Sequence, residues 1–143
     1  MRTSARRTLD AACTFSLLTG ALADRLLSAQ PSGPKRTILL TADLPDFKGK
    51  EAQMWITEIA PGAQTDHHSH PGYLFGYVLE GSLVHTVDEP GAKPRTFTVG
   101  QTWEELPGQV HWARNASATA PVKLLAVGVL TKGQPISSPA KPK

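Results

Sequence analysis

The chain has 143 residues, 40% of them hydrophobic and 19% charged. That is the length of one domain and too apolar a composition for a disordered chain. Twelve Gly and twelve Pro argue against a helix bundle and for a turn-rich β protein, and the net charge of +3 invites a nucleic-acid partner only until the charges are located.

The first 23 residues read as a secretory signal peptide. Arg2, Arg6 and Arg7 precede the uncharged run Ala11–Ala23, and Ala21-Leu22-Ala23 is a small-residue cleavage pattern. The run is too short for a transmembrane helix, so no stable membrane anchor is expected. Ala29 is a second cleavage candidate, Arg6-Arg7 resembles a twin-arginine signal, and an amphipathic N-terminal helix is the competing reading. Cleavage after Ala23 takes away three arginines and one aspartate, and the net charge falls from +3 to +1. The remaining basic residues are scattered, which removes the case for nucleic acid. The only cysteine, Cys13, lies in the same segment, so the mature chain would hold no disulfide. An exported protein, periplasmic or secreted, is expected. Residues 24–34 read as a flexible linker, residues 35–131 as a folded domain, and residues 132–143 as a disordered tail rich in Pro, Ser and Lys.

Within the domain, short apolar or alternating runs are separated by turn residues. Strands are predicted at Thr37–Ala42, Ala52–Ile59, Gly76–Leu79, Leu83–Val87, Arg95–Val99, Trp103–Leu106, His111–Arg114 and Val122–Leu130. Pro61-Gly62, Glu80-Gly81 and Pro107-Gly108 mark turns. With no convincing internal helix, the pattern implies an all-β sandwich or barrel.

Three of the five histidines crowd into Asp66-His67-His68-Ser69-His70. On a strand, His68 and His70 point to one face and His67 to the other. A rigid sheet can thus offer two imidazoles to one ion, and His111 is the available third ligand from a distant strand. His85, between Leu83 and Val87, reads as a core or rim residue, and His67 as surface. Asp66 is expected in solvent, with orientation of a ligand histidine as the alternative. Trp55, Tyr73, Phe75, Tyr77 and Trp112 are candidates for an aromatic pocket, of which two or three would be near a ligand.

Two segments resemble the paired motifs of the cupin family. Gly62–Gly81, GAQTDHHSHPGYLFGYVLEG, follows G-x5-H-x-H-x3-E-x6-G through Gly62, His68, His70 and Gly81. Gly100–Asn115, GQTWEELPGQVHWARN, follows G-x5-P-x-G-x2-H-x3-N through Gly100, Gly108, His111 and Asn115. The resemblance implies a single cupin barrel, a double-stranded β-helix of the jelly-roll type, with His68, His70 and His111 as ligands to a divalent transition metal (Fe, Mn, Cu, Ni or Zn). It also implies a homodimer formed through edge strands, with Thr37–Leu40 suited to that pairing. The chain departs from the motifs twice. Leu74 stands where the family has a metal-binding Glu, and Leu106 where it has a Pro, with Pro107 beside it.

Leucine cannot ligate, so a three-His site with open positions is the direct expectation. Glu105 is the candidate replacement carboxylate if it shares an inward face with Trp103. Its roles would be fourth ligand, a group orienting a ligand, or general base, and its alternative is an exposed turn acid. The function expected is a metal-dependent enzyme, dioxygenase-like or isomerase/lyase-like, acting on a small oxygenated molecule. The alternative is a non-catalytic cupin that binds a metal or a small ligand.

Overall fold

A computed structural model describes residues 33–141, and the signal-peptide reading lies outside them. Ten strands occur among the described residues: β1 Lys35–Asp43, β2 Lys50–Ile59, β3 His68–Ser69, β4 Tyr73–Glu80, β5 Ser82–Val87, β6 Arg95–Thr98, β7 Thr102–Glu105, β8 His111–Asn115, β9 Val122–Thr131 and β10 Ser138–Pro139. They form two antiparallel five-stranded sheets, in the orders β1-β2-β9-β4-β7 and β10-β3-β8-β5-β6. This is the all-β architecture anticipated from the spacing of turns and strands, in the jelly-roll form that the motif resemblance implied.

Alternation along the strands builds the interior. In β9 every second residue from Val122 to Leu130 is buried, and in β4 the buried positions are Leu74, Gly76 and Val78. Of these, Val78, Val122 and Leu124 join Ile59, Leu83, Phe97, Trp103 and Ala113 in one apolar cluster. A second cluster holds Trp55, Leu74, Ala126 and Leu130. Burial of this set supplies the main favourable term of folding, at about 25 cal/mol per Å² of apolar surface.

Two local devices aim side chains at the site. A Cβ at position 76 would collide with the Trp103 ring, so the glycine leaves the space in which that indole lies flat across β4. Asn115 is buried, and its amide nitrogen donates to the carbonyls of Ile59 (3.1 Å), Ala60 (3.2 Å) and Ala120 (2.8 Å) while its Oδ1 accepts from Ser117 N (2.8 Å). It therefore ties the end of β8 to two neighbouring loops through bonds to their backbone groups.

The tail departs from expectation. Residues 132–141 do not hang loose: Ser138 and Pro139 pair with Ser69 and His68, Ala140 N donates to His67 O (2.9 Å), and Ile136 packs against the Trp55 cluster. Its Pro and Ser content suits a segment that adds few ladder bonds of its own and lies as an edge over an open end of the barrel. The aromatic candidates also divide. Tyr73, Phe75 and Tyr77 alternate with the buried residues of β4 and are exposed on the outer face of the sheet, away from the interior.

Candidate metal centre

A cavity of about 330 Å³ opens between the two sheets. Its floor is polar, with His70, His85, Glu105 and His111 all buried. Its walls are apolar, including Trp55, Leu74, Leu124 and Ala126. Trp55 and Trp103 line it, but Trp112 does not.

The strands fix the histidines by register. His68 on β3 lies directly opposite His111 on β8, and the two ring centres are 4.3 Å apart. His70, just beyond β3, stands 5.1 Å from His68 and 5.3 Å from His111. Ligand atoms of His68, His70 and His111 all lie within 4.8 Å of one another. The same holds for His85, Glu105 and His111.

Backbone carbonyls set the tautomers of the three. His68 Nδ1 donates to Asp66 O (2.8 Å), His111 Nδ1 to Gln109 O (3.1 Å), and His70 Nδ1 to Ile136 O in the folded tail. A carbonyl only accepts, so each Nδ1 carries the proton and each neutral ring keeps its lone pair on Nε2. Asp66 thus orients His68 through its backbone, not through its carboxylate.

Glu105 meets them from the other sheet. It is buried, and shares the inward face of β7 with Trp103. Its Oε1 accepts from Trp103 Nε1 (2.9 Å) and from His85 Nε2 (3.1 Å). Its Oε2 lies 3.1 Å from His70 Nε2 and 3.2 Å from His111 Nε2. The exposed-turn alternative for Glu105 is therefore overturned. Glu105 is also paired in register with Leu74. The carboxylate missing from β4 enters the same layer of the cavity from the adjacent strand.

The electrostatics follow from burial and from this crowding. Burial alone would raise the Glu105 carboxyl, but the close nitrogens of His70 and His85 and the charges of His111 and His70 outweigh it and hold the group well below its ordinary range. Burial pushes His111 down to about 4, against the pull of Glu105, with His68 adding to the depression. Burial also lowers His68, opposed by the Asp66 carbonyl. At neutral pH the floor therefore offers an ionised carboxylate beside neutral His68 and His111 imidazoles.

Two buried atoms of the site, Glu105 Oε2 and His111 Nε2, have no hydrogen-bond partner. Leaving such groups unsatisfied costs about 1–3 kcal/mol each, and a cation between them would satisfy both. Imidazole nitrogens and a carboxylate oxygen converging on one point are the donor set a divalent transition metal prefers. The donors present thus fit such an ion.

Sequence reasoning did not find two further roles. His85 is buried as expected, but as a partner of Glu105 and not as inert core. Its inward period with Leu83 was a usable signal, although its partner was not. His67 is half-buried, not simply on the surface, with Nδ1 on the Asp88 carboxylate and its ring 6.0 Å from Trp112.

A jelly roll that gathers imidazoles and one carboxylate at the floor of its cavity is a candidate metal-binding β-barrel. The sequence matches the family model described as "Cupin domain" over residues 55–128, and the chain belongs to that family. Solved structures agree on the fold. A cupin-like protein from Thermotoga maritima is 22% identical with a TM-score of 0.61, covering 78% of this chain and 79% of its own. A polyketide cyclase from Streptomyces resistomycificus is 20% identical with a TM-score of 0.58, covering 78% and 73%. An oxalate oxidase in complex with the substrate analogue glycolate is 20% identical with a TM-score of 0.58, covering 74% and 55%. No curated protein matches the sequence.

Proposed function

We propose that this cupin is a metal-dependent enzyme acting on a small oxygenated molecule, with His68, His70 and His111 as nitrogen ligands and Glu105 as the carboxylate. One observation carries the reading: Glu105 stands in register with Leu74 and directs an unpartnered oxygen at the histidine nitrogens. A four-donor set of this kind restores the carboxylate that Leu74 removes from the motif. When bound, the metal would act as a Lewis acid on an oxygen of the substrate. The chain's own contributions are separate. Trp103 and His85 hold Glu105 by one oxygen, the three carbonyls hold the imidazoles, and the apolar walls exclude water from the reacting end.

The structural neighbours include an oxalate oxidase and a polyketide cyclase, which supports chemistry on oxygenated small molecules without fixing the reaction. Export is part of the proposal, supported by the basic start, apolar run and small-residue site of the first 23 residues. So is a homodimer, supported by exposed Ile38, Leu39 and Leu40 on edge strand β1.

The test is metal content after purification, followed by an oxygen-uptake and carbonyl-substrate screen. One tightly held transition ion per chain, lost in His68→Ala, and turnover that disappears with it are expected. A chain that takes up no divalent metal from solution would end the proposal.

A further inference from the structure

We propose that Arg36 anchors the anionic end of the ligand, so that the cavity takes a small carboxylate whose opposite end reaches the His68–His70–His111–Glu105 floor. This deepens the metal-dependent reading and rests on it for the role of the floor.

Arg36 belongs to edge strand β1, in register with Thr57 on β2, and both residues line the cavity. Their shared facing follows from direct pairing in an antiparallel ladder. The guanidinium carbon lies 5.7 Å from the centre of the Trp55 ring, and Trp55 itself is only 1% exposed. The flat cation is thus seated on a fixed indole face at the mouth of the cavity, an arrangement suited to guanidinium. Among the described residues it is the only Lys or Arg on the cavity lining, and no carboxylate forms an ion pair with it. Asp66, also on the lining, stays beyond ion-pair distance, and Glu105 is engaged at the floor.

The surroundings reinforce the need for an anion. Burial pulls the guanidinium below its usual range, with the charge of Glu105 opposing, yet arginine stays protonated at neutral pH. Arg36 keeps an exposed side toward solvent, and a guanidinium on the cavity lining with no acid partner presents its fork to a bidentate carboxylate. The same cavity is lined by apolar Leu74, Leu124 and Ala126. A volume of about 330 Å³ admits a small molecule and no polymer. Shape and charge therefore describe a compact acid with an apolar or carbonyl-bearing body.

The experiment compares carboxylates with their neutral isosteres: benzoate with benzamide, and glycolate with glycolamide. Each is titrated by calorimetry into Ni²⁺-loaded and metal-free protein, using wild type, Arg36→Gln and Arg36→Lys at matched melting temperature. Wild type should prefer the carboxylates. Arg36→Gln should lose about 10-fold or more in carboxylate affinity with little change for the amides, and Arg36→Lys should keep part of the preference. Equal carboxylate affinity in wild type and Arg36→Gln, or no preference in wild type, overturns the assignment. Failure of the metal reading shows separately, as no Ni²⁺ uptake by wild type. In that event the metal-free titrations decide the arginine by the same criterion.

Discussion

His68 and His111 reach the cavity on β3 and β8 of one sheet, directly opposite each other. Leu74 and Glu105 reach it on β4 and β7 of the other sheet, also directly opposite each other. In the first pair both positions carry ligand-type side chains and both fall in register with the family's motifs. In the second, the motif position carries a leucine and its cross-strand neighbour carries the acid. Two residues opposed in an antiparallel ladder have Cβ atoms about 4.5–5.5 Å apart, within the reach of a glutamate side chain. The difference teaches that a donor can change strand while the donor set keeps its place.

That difference also marks what could be read from the sequence. The two-residue spacing of His68 and His70, and the offset of His111 from Gly100 and Gly108, are local patterns that survive without knowledge of pairing. Eight strands came from alternation and turn residues. Glu105 could be nominated through its two-residue spacing from Trp103, but not placed, because its register with Leu74 is a long-range fact that no local period contains. The tail misled for a related reason. Its composition is that of a loop, and it is held by pairing with β3 and by Ile136 against the Trp55 cluster, contacts supplied by distant residues. His85 was given the right burial and the wrong role, since its partner is on another strand.

The largest expected effect comes from exchanging the second pair. Glu105→Leu alone should lower affinity for a divalent transition metal by more than about 100-fold, beyond the range seen for groups that only support a ligand. Adding Leu74→Glu should recover a large part of that loss, because the carboxylate returns to the same layer from β4. Recovery should be partial, since Trp103 Nε1 and His85 Nε2 no longer have their acceptor. Competition with a chelator of known affinity reads both steps. A double variant no better than the single one would show that the two strands are not equivalent for this donor.

A smaller effect is expected from the first sheet, where the tail completes the histidine set. Ending the chain after Gln134 removes the Ile136 carbonyl from His70 Nδ1 and uncovers the Trp55 cluster. Metal affinity should fall about 10–100-fold, the cost of losing an orienting partner of a ligand, and the melting temperature should drop as apolar contact is lost. Ending the chain after Ala140 keeps the β3 pairing and the bond to His67 O, and should leave both readings unchanged. Equal affinity in the shorter chain would mean that His70 needs no tail to hold its tautomer.

The smallest effect distinguishes holding a carboxylate from supplying one. Trp103→Phe keeps an aromatic ring across Gly76 and removes only the Nε1–H that donates to Glu105 Oε1. One such bond to a charged acceptor contributes about 1.5–3 kcal/mol when both partners are buried, but His85 remains on the same oxygen. The loss in metal affinity should therefore stay near 10-fold, well short of Glu105→Leu. Because Phe leaves the histidine pair of the other sheet untouched, the whole change should vanish in a Glu105→Leu background. Additive losses in that double variant would instead mean that Trp103 acts on the site through packing, and that Glu105 is held by His85 alone.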